Sequence, residues 1–173
     1  MDTNRALVAL ALALSLAVGS TAIAVAGKSE SDLTAAKKAT VQFRSVDTAV
    51  AAGYAELRDA KQVACIDLPG SGGMGVHFVN GELVKTGVLN PRRPQALVYE
   101  PGGNGLHLVA LEYIVFVAAW KSSTPPELFG RTFDYVPAGN RYGLPAFWAL
   151  HAWVWKSNPT GTVMAWNPRV SCR

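Results

Sequence analysis

The change of hydrophobic period near Cys65 is the feature that most constrains the fold of this chain. Before Cys65, apolar side chains recur at three, four or seven positions, as along one face of an α-helix. After it, short β-like runs alternate with turns rich in glycine, proline and asparagine. This order predicts an α+β fold, in which a helical region packs on one face of a sheet.

The helical part is predicted to be one long amphipathic helix over about residues 32–60. Ser29 to Asp32 fits a capping box immediately before it, and Gly53 is the residue at which such a helix would break. The apolar stripe that must cover another element is formed by Leu33, Ala36, Thr40, Phe43, Val46, Val50 and Leu57.

The β-rich part, about residues 66–172, is predicted to form a curved, mostly antiparallel sheet or a partial barrel, because no βαβ alternation is present. Asn80-Gly81 favours a hairpin turn, with 82–84 as the returning strand. The remaining strands are expected within residues 75–80, 96–100, 106–117, 129–136, 147–156 and 162–166.

The N-terminus has the pattern of a secretory signal peptide over residues 1–26. Arg5 precedes the apolar run 6–18, and Ala24-Val25-Ala26 has the small-residue form of a cleavage site. Cleavage would leave a single exported domain, 27–173, with no second segment able to span a membrane. The expected location is secreted or in the cell envelope; the alternative is a retained N-terminal membrane anchor.

Composition excludes other classes of protein. Of the 173 residues, 50% are hydrophobic and 16% are charged, with a net charge of +4. A disordered tail would be less apolar and more highly charged. Lys and Arg are dispersed and match no nucleic-acid-binding motif, so nucleic acid is not an expected partner. The sequence leaves the oligomeric state open.

Two cysteines, Cys65 and Cys172, are predicted to form a structural disulfide. An even pair in an exported chain favours a bridge. A redox-active pair is the alternative, but the chain has no C-x-x-C pattern.

Three ionisable residues fall inside apolar runs of different predicted strands. His77 lies among Val76 and Phe78, and His151 lies between Leu150 and Ala152. Glu112 occupies the middle of a long apolar strand, where a carboxylate needs a partner or keeps its proton. If the three side chains converge, they form a two-histidine, one-carboxylate site for zinc, copper or iron. The alternative is a hydrogen-bonded polar core without metal.

A ligand pocket is expected between the glycine-rich loop 70–75 and the strands that hold Glu112 and His151. Met74 in that loop would add a soft ligand for copper. Trp153 and Trp155 would line the cavity and contact an apolar ligand; the alternative is that they belong to the core and its rim.

Four sequence pieces together resemble a group of small, exported bacterial proteins without a characterised activity. The pieces are Gly73–Asn80 (GMGVHFVN), Leu97–Pro101 (LVYEP), Leu128–Arg131 (LFGR), and Leu150–Trp155 (LHAWVW) with Asn158–Gly161. The resemblance covers about residues 50–172. It implies a single exported domain and a paired Cys65 and Cys172, and it implies no activity.

Three functional hypotheses follow from these residues. The first is an exported, disulfide-stapled binding protein for a metal ion or a small apolar molecule. The second is an enzyme in which His77, Glu112 and His151 hold a metal or act as an acid–base pair. The third is a structural module of the cell envelope that has no active site. Whether the three side chains meet in space separates the third hypothesis from the others.

Overall fold

The structure is a computed structural model that describes residues 18–173, with side chains from residue 27 onward. Most of the apolar run of the predicted signal peptide therefore lies outside the described residues. Within the part described, no helix combines the length and the apolarity needed to cross a membrane.

The described chain contains three α-helices, one 3-10 helix and nine strands. The helical elements are α1 (Val18–Ala39), a 3-10 helix (Val41–Arg44), α2 (Val46–Ala51) and α3 (Gly81–Lys85). The strands are β1 (Ala55–Glu56), β2 (Cys65–Leu68), β3 (Gly72–Val79), β4 (Ala96–Gly102), β5 (Gly105–Phe116), β6 (Glu127–Leu128), β7 (Arg131–Thr132), β8 (Asp134–Val136) and β9 (Phe147–Ala152).

Seven strands form one open sheet in the order β1-β3-β4-β5-β9-β8, and β2 also pairs with β3. Every strand pairing among the described residues is antiparallel. The α+β class and the antiparallel sheet are thus confirmed, and the sheet is not closed into a barrel. Strands β6 and β7 form a separate two-stranded ribbon. The strand expected at residues 162–166 is not formed.

The helix predicted over residues 32–60 is instead divided into separate elements. Thr40 ends α1, and its hydroxyl donates to the Ala36 carbonyl at 2.8 Å. Ser45 caps α2 by accepting a hydrogen bond from the Thr48 amide at 3.3 Å. Short hydroxyl side chains compete in this way for backbone partners and favour helix ends. Gly53, with φ at 89°, follows α2, and residues 55–56 join the sheet as β1.

The hairpin predicted at Asn80-Gly81 is wrong, because this segment begins a helix. The Asn80 side chain accepts a hydrogen bond from the Leu83 amide at 3.1 Å and is the N-cap of α3. Asparagine is favoured both in tight turns and at helix N-caps. The local pattern did not distinguish the two outcomes.

One face of the sheet, which we call the packed face, is covered by the helical segments. Its central side chains are Phe78, Leu97, Tyr99, Leu111, Tyr113 and Leu150, and they pack with Ala36, Phe43, Ala49 and Tyr54 from the helical region and the segment that follows it. The Tyr99 hydroxyl donates to the Phe43 carbonyl at 2.7 Å. Helix and sheet are therefore joined by a polar contact as well as by apolar packing.

The opposite face, which we call the pocket face, is partly covered by the C-terminal segment. The predicted disulfide between Cys65 and Cys172 is present, and Asn167 exchanges two backbone hydrogen bonds with Gly73, each 3.1 Å long. A Cβ atom on Gly73 would lie 2.8 Å from the Val170 side chain, so only glycine permits this close approach. These contacts hold residues 165–172 against β3.

Candidate metal centre

His77, Glu112 and His151 lie on three different strands and all project from the pocket face. Glu112 on β5 is the direct cross-strand partner of His151 on β9. His77 lies on β3, which β4 separates from β5. On β4, the residue opposite Glu112 is Ala96 and the residue opposite His77 is Val98. These short side chains leave room for His77 and Glu112 to meet above β4.

The three side chains converge closely. The two Nε2 atoms of His77 and His151 are 3.2 Å apart, and His77 Nε2 lies 3.5 Å from Glu112 Oε2. Glu112 Oε1 is 3.8 Å from His151 Nδ1. One ligand atom from each residue lies within 4.8 Å of the other two. The convergence that the sequence could not establish is therefore present.

Two of these spacings are close to those of a tetrahedral metal site. Ligand atoms at about 2.0–2.1 Å from a zinc ion are roughly 3.3 Å from each other when the coordination is tetrahedral. The distances from His77 Nε2 to its two neighbours, 3.2 and 3.5 Å, bracket that value. The three ligand atoms all lie within 4.8 Å of one another, so Glu112 and His151 would have to draw closer where they exceed the tetrahedral spacing.

Burial controls the protonation of the three residues, whose exposed fractions are 3% for His77, 7% for Glu112 and 3% for His151. Loss of hydration lowers the pKa of His77 to about 4 and raises the pKa of Glu112 to about 8. Desolvation, and then the neighbouring His77, lower the pKa of His151 well below its ordinary value. Both imidazoles are therefore neutral at pH 7, which is the form that binds metals.

The histidine rings differ in how they are held. His151 stacks on Trp153, with ring centroids 6.0 Å apart and an interplanar angle of 16°. Trp153 in turn donates from Nε1 to the Met164 carbonyl at 2.5 Å. His77 Nδ1 is buried and has no hydrogen-bond partner within the described residues. The Gly75 backbone raises the pKa of His77, but this effect is smaller than the lowering by burial.

We call His77, Glu112 and His151 the triad. The triad lines a partly open cavity of about 570 Å³. The other lining side chains are mostly apolar. They come from the sheet, from α3, from the loop over residues 137–145 and from the C-terminal segment. The apolar members are Leu57, Ile66, Met74, Val79, Val84, Ile114, Phe116, Val136, Leu144, Phe147, Ala149, Ala165 and Trp166. A small apolar molecule in this cavity would lie beside the triad.

A loop over residues 137–145 forms part of the cavity wall, and its role was not predicted from the sequence. Arg141 in this loop donates from Nη2 to the buried Asp59 carboxylate at 2.8 Å. Tyr142 lines the cavity, and burial together with the Glu112 charge raises its pKa to about 12. Asp59 and Arg141 are 82 positions apart, so no local pattern in the sequence indicates their pairing.

The structure brings some of the predicted ligand-contact residues to the triad and not others. Met74 lines the cavity, whereas Trp153 is not among the lining residues and instead stacks on the His151 ring. Trp155 lies elsewhere: its indole nitrogen donates to the Thr40 hydroxyl at 3.2 Å, and Lys37 sits over its ring. Trp166 lines the cavity in its place.

Comparison with protein-family models, with curated proteins and with solved structures found no match for this chain. The site geometry therefore carries the functional argument alone.

Proposed function

We propose that this protein binds a divalent metal ion through His77, Glu112 and His151, and that the ion presents an open coordination position to the apolar cavity. The single observation that carries the proposal is the meeting of three ligand atoms, one per residue, within 4.8 Å. Two imidazoles and one carboxylate are a donor set typical of zinc and of other first-row metals.

The spacing within the triad favours a metal over a hydrogen-bonded polar core. Hydrogen bonds would draw donor and acceptor to roughly 2.7–3.2 Å. Only the contact between the two histidines, at 3.2 Å, falls in that range. The carboxylate oxygens stay at 3.5 and 3.8 Å from the imidazole nitrogens. The carboxylate therefore makes no hydrogen bond of ordinary length to either ring, which leaves its oxygens available to a metal ion.

Zinc is the ion that the donor set fits first, because three protein ligands and one open position are usual in its ligand-accessible sites. Copper and iron(II) remain candidates on the same donors. Met74 lines the cavity and would supply the soft thioether that favours copper. We place this function in the secreted or cell-envelope protein that the N-terminal sequence predicts, and the disulfide is compatible with an oxidising compartment.

Binding is favoured over catalysis because the triad leaves no free carboxylate beside the ion. A general base beside the metal-bound water assists hydrolysis, and Glu112 would be occupied as a ligand. The other carboxylate that lines the cavity within the described residues, Asp134, is bound by Arg131 at 3.0 Å. An acid–base enzyme without metal stays the weaker alternative.

The proposal is tested by measuring the metal content of the full chain with its disulfide intact. The protein is exposed in turn to zinc, copper and iron(II), dialysed, and analysed for bound metal. We expect about one zinc ion per chain in the wild-type protein and less than a tenth of that in His151→Ala and Glu112→Gln, because a tetrahedral site that loses one of three protein ligands binds far more weakly.

His107→Ala is the matched control, because His107 is an exposed histidine that lies outside the triad. It should retain the zinc content of the wild-type protein. Circular dichroism establishes that each variant is folded before its metal content is compared. Equal zinc in the wild-type protein and in folded His151→Ala would overturn the proposal, as would absence of all three metals from the wild-type protein.

A further inference from the structure

We infer that the organic ligand of the cavity is an apolar monocarboxylate, such as a medium-chain fatty acid, whose carboxylate completes the coordination of the metal ion. This inference rests on the proposed metal site and adds the chemical class of the ligand. It follows from three observations: the charge of the loaded triad, the pairing of the other charges at the cavity, and the apolar character of the wall.

The loaded triad carries an uncompensated positive charge. A divalent ion contributes two positive charges, and Glu112, which releases its proton when the ion binds, contributes one negative charge. His77 and His151 bind as neutral imidazoles. The sum is one positive charge in a site whose residues are all buried. A net charge in such surroundings is costly unless a counter-charge accompanies it. One anionic group in the open coordination position provides that counter-charge.

The other charged side chains that line the cavity already have partners. Each of the three forms an ion pair: Lys85 with Glu82 at 2.6 Å, Arg141 with Asp59 at 2.8 Å, and Asp134 with Arg131 at 3.0 Å. None of them supplies an unpaired charge for a second charged group on the ligand. The metal is therefore the one place where a charged head group gains a new partner among the described lining residues.

The rest of the cavity wall favours a ligand whose larger part is apolar. Phe116, Phe147, Ile114 and Val136 line the cavity together with Trp166, and they offer contact area without hydrogen-bonding groups. The volume of about 570 Å³ lies within the roughly 300–1,000 Å³ that is usual for small-molecule pockets. A ligand with one acidic end and an alkyl or aryl body matches both the charged end and the apolar wall.

The test uses three probes that differ in charge and in apolar surface. Their binding to the zinc-loaded full chain is measured by titration calorimetry. Decanoate has the head group and the body, 1-decanol has the body without the charge, and acetate has the head group alone. We expect decanoate to bind at least about tenfold more tightly than either of the others. We also expect its affinity to fall about tenfold when the zinc is removed, because the anion then loses its partner.

A wall variant separates the apolar contribution from the metal contribution. Leu144→Asp places a negative charge on the wall, and it should weaken decanoate binding at least about tenfold while the zinc content stays unchanged. Leu68→Asp is the matched control, because Leu68 is an exposed leucine outside the cavity. It should bind decanoate as the wild-type protein does.

The outcomes distinguish this inference from the function on which it rests. If zinc binds and decanoate is held no more tightly than 1-decanol, the ligand class is wrong and the metal site stands. If none of zinc, copper and iron(II) binds to the wild-type protein, the proposed function fails and the inference fails with it. Tight decanoate binding that depends on zinc and is lost in Leu144→Asp supports both.

Discussion

The two faces of the sheet differ in how their buried polar groups are hydrogen-bonded. On the packed face the hydroxyls of Tyr99 and Tyr113 donate to backbone carbonyls, each at 2.7 Å, and the side chains around them are apolar. On the pocket face a carboxylate and two imidazoles are buried together, and His77 Nδ1 has no partner within the described residues. The two tyrosines are satisfied by backbone carbonyls, whereas the triad leaves one buried nitrogen without a partner among the described residues.

This difference indicates which face contributes stability and which contributes function. Satisfied polar groups and full packing stabilise the fold, whereas buried ionisable groups with shifted pKa values destabilise it and are typical of functional sites. Strand β5 contributes to both faces, because alternate residues of a strand point in opposite directions. Leu111 and Glu112 are neighbours in the sequence and have opposite roles.

The largest effect is expected from removing the disulfide, which fastens the C-terminal segment to β2. The bridge closes a separation of 107 residues, and a loop of that length is worth about 4–5 kcal/mol in the chain-entropy model. Cys65→Ala/Cys172→Ala should therefore lower the free energy of unfolding by that amount, as measured by urea denaturation.

Hydrogen exchange in this variant should show that amides of residues 165–172 lose protection before those of Leu97 and Leu111 on the packed face. Uniform loss of protection would contradict the division between the faces.

An intermediate effect is expected from shortening one side chain on each face of β5. Leu111 is fully buried on the packed face, and Leu111→Ala should cost about 3 kcal/mol through lost burial and a new cavity. Ile114 is half-buried and borders the existing cavity, so Ile114→Ala should cost about 1 kcal/mol. Denaturation of both variants measures the contrast, and both should retain zinc. Equal costs would mean that the pocket face is as tightly packed as the other.

A further effect, which the histidines oppose at low pH, is a pH dependence of the metal-free protein that arises from the triad. The Glu112 carboxyl keeps its proton up to about pH 8 in the folded protein, and in the unfolded chain it loses that proton near its ordinary pKa of 4.5. Unfolding therefore releases a proton across this range, so the stability that the neutral carboxyl contributes is fully present below 4.5 and falls as the pH rises.

The histidines act in the opposite direction at lower pH. His77 has a folded pKa of about 4 against an ordinary 6.5, so unfolding takes up a proton between these values and stability rises with pH there. Above pH 6.5 Glu112 acts alone, and the free energy of unfolding should fall by up to about 1.4 kcal/mol per pH unit until pH 8. Thermal denaturation in the presence of a chelator measures this slope. Glu112→Gln should remove it, whereas Glu127→Gln, an exposed control, should not.

Much of the site was predictable because burial leaves a clear trace in a strand. His77, Glu112 and His151 each interrupt an apolar run, and a polar residue in such a run is buried whichever strands become neighbours. Cys65 and Cys172 were predicted to pair because the chain has no other cysteine. The positions of Trp155 and Trp166 were not predictable, since their contacts involve segments far away in the sequence.

The hairpin and the long helix were wrongly predicted because they contain residues that favour two different local structures equally well. Asn80 suits a hairpin and a helix N-cap, and contacts outside the segment decided for the cap, including the hydrogen bond from its side chain to the Ala52 carbonyl at 3.0 Å. Thr40 and Ser45 fit a helical stripe by position, yet their hydroxyls end one helix and begin the next. Periodicity describes which side chains are apolar and does not register this competition for backbone partners.

The sequence by itself determined the class of the fold, the disulfide and the identity of the three triad residues, because hydrophobic period, cysteine count and an ionisable residue inside an apolar run can all be read locally. Only the tertiary structure decided that β4 presents the short Ala96 and Val98 between His77 and Glu112, and that β9 pairs beside β5. Strand order and register are set by the packing of the whole sheet. That packing converts three separate polar residues into one candidate metal site.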